Sequence, residues 1–214
     1  MQFDSTTINM LVKGIWETIY MVFLSSALSY VIGIPLGIAM VVTDKEGISP
    51  VPLFNKVLGL IINLLRSVPF IILLIMVLPI TKFIVGKTIG SNATVVPLII
   101  AASPYIGRMV ESSLKEVDAG VIEAAKSMGA STWQIIVKPS LLVGAAISVT
   151  TILGYSAMAG FTGGGGLGDI AIRYGYHRYQ TDMMMVTVVL LVIIVQLIQE
   201  VAMRMSRKSD KRIR

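Results

Sequence analysis

Five long apolar stretches separated by short polar turns decide what this chain can fold into. In lipid every backbone N–H and C=O must be satisfied within the segment, so each stretch that crosses becomes a helix. About 20 residues are needed to cross the hydrocarbon. The first stretch runs over 15–42, with Trp16 and Tyr20 placed as interface anchors, and Pro35 between Gly33 and Gly37 predicts a kink. The second covers 53–80 but is interrupted at Arg66-Ser67-Val68-Pro69. Its two pieces are each too short to cross, so they read as one irregular span. The remaining three cover 94–110, 141–161 and 183–198. The chain is 55% hydrophobic and 14% charged, with a mean hydropathy of +0.81, whereas soluble domains carry roughly 25% charged residues. The sequence therefore predicts an all-α polytopic membrane protein with five transmembrane helices in one domain, 1–214. It shows no internal repeat and no soluble domain.

The absence of cysteine excludes disulfides, thiolate chemistry and Cys-ligated metals. The start, Met1-Gln2-Phe3-Asp4-Ser5, lacks the basic region of a cleavable signal peptide and reads as an uncleaved N-terminus. Lys/Arg bias predicts orientation. With five spans, Lys45, Lys56, Arg108, Lys115, Lys126, Lys138 and the basic tail 204–214 share one side, leaving Lys13, Lys82, Lys87, Arg173 and Arg178 on the other. The richer side is expected in the cytoplasm and the N-terminus outside. Topology accounts for the net charge of +6 without a nucleic-acid partner.

Residues 111–138 form the one long polar stretch between spans. Within it, Asp118 can cap a helix through its carboxylate, and Val121, Ala124, Ala125 and Met128 recur on one helical face. Gly129 supplies the left-handed stop. Ser131, with Gln134 three positions on, opens a second helix as a capping box. An interfacial helix on lipid headgroups usually carries a basic polar face. This one mixes Glu116, Asp118, Glu123 and Lys126, which favours docking by another protein.

Other motifs have plainer readings. The run Gly163-Gly164-Gly165-Gly166-Leu167-Gly168 lacks the Gly-Lys-Ser/Thr ending of a phosphate loop and reads as a hinge or a close backbone contact. Arg173-Tyr174-Gly175-Tyr176-His177-Arg178-Tyr179 reads as an aromatic interface belt, and the single histidine makes no metal site. Met183-Met184-Met185 reads as lipid-facing or packing. Tyr155, Ser156 and Met158 carry two readings: tight helix packing beside Gly154 and Gly160, or the lining of a translocation path in which Met158 meets a thioether substrate. Arg66 and Glu200 are explained by snorkelling at span ends.

Glu123-Ala124-Ala125, followed by Gly129, resembles the EAA motif of ABC-importer permeases. Arg66-Ser67-Val68-Pro69-Phe70, Leu153-Gly154-Tyr155-Ser156-Ala157-Met158 and the glycine run ending in Asp169 resemble the methionine-importer permease branch, and the resemblance covers nearly the whole chain. It implies a type I ABC-importer permease fold in the inner membrane, a second copy of the chain, and two copies of an ABC ATPase. It implies an extracytoplasmic methionine-binding lipoprotein and methionine as substrate. ATP and Mg would be bound by the ATPase, with no cofactor in this chain. The coupling residues would be Asp118, Val121, Glu123, Ala124, Ala125, Met128 and Gly129.

One stretch departs from the family pattern. Where the family shows Ile, one residue, then Leu-Pro, this chain has Pro139, Ser140, Leu141 and Leu142, and the interval from Gly129 to Gly154 is about two helical turns short. Pro139 predicts an early stop for the second loop helix. Three functions compete for such a chain. An ion-coupled secondary transporter needs ionisable groups deep in its spans, and the central thirds of spans one, three, four and five have none. A membrane enzyme needs clustered acid, base or nucleophile, and the scattered acids supply none. A permease for methionine or another small amino acid, powered by a separate ATPase, remains.

Overall fold

A computed structural model describes residues 4–47, 49–115, 127–129 and 138–209, with side chains at all of these except 138–147, 202 and 205–209. The described residues are helical with connecting turns and contain no strand.

Helix α1 (Ser5–Val42) is 38 residues long. It starts ten residues before the apolar stretch, because the Asp4 carboxylate accepts from the Ser5 N–H at 2.8 Å and caps it. At 1.5 Å per residue it spans about 57 Å, well beyond the ~30 Å hydrocarbon core. It runs through Pro35 as one helix. Helix α2 (Pro52–Ser67) begins with proline in its first turn, where a missing N–H is harmless. It ends at Val68, which is extended with φ −77° and ψ 126° because it precedes Pro69. Helix α3 (Phe70–Met76) follows at a bend of 107°, and α4 (Leu78–Val85) continues to Gly86.

Helix α5 (Ser91–Lys115) lies along α1 in parallel. A Cβ on Gly33 would fall 2.6 Å from the Ile106 side chain, and one on Gly37 would fall 2.6 Å from the Gly107 carbonyl oxygen. This small-xxx-small face lets the two backbones close up. Because α1 and α5 point the same way, α2, α3 and α4 together return the chain across once. The expected irregular second span is thus one crossing, folded sharply at Val68-Pro69. Helix α5 runs on to Lys115, so the first five residues of the 111–138 stretch are helical and Glu111 is buried.

Helix α6 (Lys138–Met158) has 21 residues, about 31 Å of rise, enough to cross. The expected early stop of the second loop helix falls on 131–137, outside the described residues; Pro139 itself lies within α6. A 3₁₀ turn (Ala159–Thr162), the short α7 (Gly166–Ile170) and a π-helical turn (Ala171–Tyr176) lead to α8 (Thr181–Ser209). By length and composition α1, α5 and Thr181–Val201 of α8 are each long and apolar enough to cross a membrane, and the bent α2–α3 pair, taken as one broken span, is a fourth. With α6 the spans number five.

The core lies where α1, α5, α6 and the glycine turn meet, around Met21, Leu98, Ile106, Ile152 and Leu167. Of the membrane-length windows, that of α5 is 72% buried and that of α8 only 17%, so α5 is the central helix and α8 a flank. Met183 is buried and Met185 exposed, which divides the methionine run between packing and surface.

Candidate functional site

The turn after α1 and the last turns of α5 form a charged end of the bundle. Arg108, Glu111 and Lys115 recur at i, i+3 and i+7 on α5 and so share a face. The buried Glu111 carboxylate accepts from Arg108 Nη1 at 2.6 Å through Oε2 and from Lys115 Nζ at 3.1 Å through Oε1. Arg108 Nη2 donates to Asn63 Oδ1 of α2 at 3.0 Å. Lys115 also pairs with Asp44 in the turn after α1. The Lys115 ammonium and the Lys45 N–H hold the Asp44 carboxyl below the usual carboxylate range. One carboxylate thus ties the end of α5 to α2 and, through Lys115, to the α1–α2 turn.

The Arg108–Glu111–Lys115 spacing was legible in the sequence. Its partners Asn63 and Asp44, 45 and 71 residues distant, were not.

Of the expected coupling residues, Asp118, Val121, Glu123, Ala124 and Ala125 lie outside the described residues, as do Ser131 and Gln134. Met128 and Gly129 are described. Met128 is 81% exposed, and Gly129 has φ +79° with open space where a side chain would stand. That is the left-handed stop expected from the sequence.

At the opposite end the glycine run is a close backbone contact. A Cβ on Gly168 would lie 2.3 Å from the Ala157 carbonyl oxygen. Helix α1 supplies acceptors for the first N–H groups of α7: Glu17 Oε2 accepts from Gly166 N–H at 2.8 Å, and Thr18 Oγ1 from Leu167 N–H at 2.9 Å. Gly163 is tied to the start of α5 by the Gly90 N–H at 2.9 Å. Sequence reasoning passed over Glu17 and Thr18, since nothing local marks a cap supplied from 149 residues away. The following aromatic segment is internally paired, with Arg173 on Asp169, Arg178 4.6 Å above the Tyr174 ring, and His177 edge-on to Tyr176.

The three pathway candidates separate. Tyr155 stacks on Phe70 of α3, with centroids 4.5 Å apart and planes 5° from parallel. Ser156 is buried and donates to the Leu153 carbonyl at 2.7 Å, which is the packing arrangement. Met158 is 46% exposed. Within one chain, only Met158 of the three presents a large free surface.

The family model for the binding-protein-dependent transport system inner membrane component matches residues 33–214. The chain belongs to this family. It is therefore a multi-pass inner-membrane transport component. The probable D-methionine transport system permease protein MetI of Vibrio cholerae is 46% identical over 211 residues, covering 95% of this chain and 94% of that relative. The D-methionine transport system permease protein MetI of Escherichia coli K12 is 44% identical over 158 residues, 71% of this chain and 73% of the relative. Among solved structures, inward-facing conformations of the MetNI methionine ABC transporter superpose with a TM-score of 0.88 at 42% identity, covering 97% of this chain and 100% of that one. An amino acid ABC transporter with histidines, at 17% identity and a TM-score of 0.75, shares the fold alone. The fold is that of type I ABC-importer permeases.

Proposed function

We propose that this chain is the membrane permease subunit of an ATP-driven methionine importer, acting as a second-copy dimer with two ABC ATPase subunits and an external methionine-binding lipoprotein. The observation that carries the reading is the match to the methionine transporter over 97% of this chain, at 42% identity and a TM-score of 0.88. The charged end faces the cytoplasm and the N-terminus lies outside, because Lys/Arg excess marks the cytoplasmic side. The loop 111–138 then docks on the ATPase through Asp118, Val121, Glu123, Ala124, Ala125, Met128 and Gly129. ATP and Mg bind to that partner.

The chain's own part is mechanical. Closure of the ATPases draws the loops together, and Glu111, Arg108 and Lys115 carry the displacement from the end of α5 to α2 and the Asp44 turn. The tight glycine turn at the other end holds α1, α5 and α6 as a unit, so motion at one end opens the other. Met158, exposed beside the Phe70–Tyr155 stack, is the side chain best placed for the substrate's path. Its thioether adapts to an apolar, polarisable ligand.

Proteoliposomes holding the permease and its ATPase test the reading. Labelled methionine should accumulate only with ATP and binding protein present, and an unrelated amino acid should not compete. Uptake driven by an ion gradient without ATP would overturn it.

A further inference from the structure

A cavity of about 360 Å³ opens at the charged end between α2 and α5, bounded by Arg66, Tyr105, Arg108, Glu111, Ser112 and Lys115, with Met109. Its charges do not balance. Both Glu111 oxygens are taken by Arg108 and Lys115, and Lys115 also meets Asp44. Arg108 satisfies only part of its fork, on Glu111 and Asn63, and its Nε has no acceptor among the described residues. Arg66 has neither an ion pair nor a hydrogen bond among the described residues, and it is exposed. Among the described residues the walls thus carry three cations against one acid already in use. The Tyr105 and Ser112 hydroxyls add neutral donors.

An apolar surface adjoins this basic opening. Helix α2 turns Gly59 and Ile62 inward and leaves Leu53, Phe54, Val57, Leu60, Ile61 and Leu64 exposed. Arg66 closes the helix beyond that face, at the edge of the cavity. A ligand matching both features has a phosphate at one end and acyl chains at the other. Basic openings between membrane helices on the cytoplasmic side are suited to such headgroups, and an arginine fork matches phosphate oxygens.

We propose that this cavity holds the phosphate of an anionic phospholipid, with Arg66 as its principal ligand, Arg108 beside it, and the acyl chains along the exposed face of α2. The bound lipid stands next to the Glu111 junction, so it steadies α2 against α5 where loop motion enters the bundle. The proposal rests on the charged end being cytoplasmic.

The test is native mass spectrometry of the permease–ATPase complex after exchange into equal phosphatidylglycerol and phosphatidylcholine. Phosphatidylglycerol should be retained over phosphatidylcholine, and Arg66→Gln should lower the retained anionic lipid about fivefold. Arg66→Lys should keep most of it. Lys87→Gln, away from the cavity, should leave retention unchanged. Equal retention of the two lipids, or full retention in Arg66→Gln, overturns the proposal. So does displacement of the lipid by millimolar methionine, which would assign the cavity to a carboxylate, or by inorganic phosphate at similar concentration, which would assign it to a free anion. The orientation is checked separately. The chain has no cysteine, so Ser67→Cys reports which side an impermeant maleimide reaches. Labelling from outside would overturn the orientation without touching the lipid measurement.

Discussion

The two ends of the bundle are closed by different forces. At the glycine turn, backbone meets backbone: Gly160 lies against the Gly168 carbonyl, Gly168 against that of Ala157, and α1 supplies the caps from Glu17 and Thr18. At the charged end the closure is a chain of ion pairs from Arg108 through Glu111 and Lys115 to Asp44. Backbone contacts are short-ranged and rigid. The outer pair, Lys115–Asp44, is largely exposed and so is weak and yields to salt and pH. Glycine serves both ends, for opposite reasons: Gly168 has no room for a side chain, whereas Gly129 has ample room but a φ of +79°.

Three experiments put pressure on that contrast. The largest effect is expected for Gly168→Ala. Its methyl would collide with the Ala157 backbone, which cannot step aside, costing about 3 kcal/mol, the upper end of the usual overpacking range, so the yield of folded protein in size-exclusion profiles should fall sharply. Recovery at the parent level would mean that the turn is looser than its geometry. Gly129→Val comes next. It should leave the melting temperature within a few degrees, since the strain is roughly 1–2 kcal/mol at an open position, yet cut ATP-driven uptake at least tenfold. Full uptake with normal co-purification of the ATPase would remove the loop stop from the coupling scheme.

The smallest effect concerns pH. Lys115 lowers the Asp44 pKa in the folded protein. The pair therefore contributes stability at pH values above the ordinary carboxylate range, and that contribution is lost as pH falls through the lowered folded value. Asp44→Asn should flatten the acid limb of the stability curve below about pH 4 and lower stability between pH 5 and 8 by a small amount that does not change with pH. An equal change in the parent and the variant on the acid limb would show that the pair contributes nothing.

The sequence by itself determined the five spans, the break at Val68-Pro69, the open stop at Gly129 and the family. Hydrophobic length, proline chemistry and left-handed glycine are local properties that need no neighbours to be read. Where it erred the cause was context. The loop boundary at 111 missed that Glu111 is buried, because burial of a charge depends on cations brought alongside by packing.

Tertiary structure alone decided the remaining features. These are the parallel seating of α1 on α5 through Gly33 and Gly37, the 107° fold of the second span, the caps that α1 lends to α7, and the joining of Asp44 and Asn63 to the end of α5. Each joins residues tens of positions apart. Hydropathy carries no record of such pairs, because it reports how much surface leaves water and not which surfaces meet.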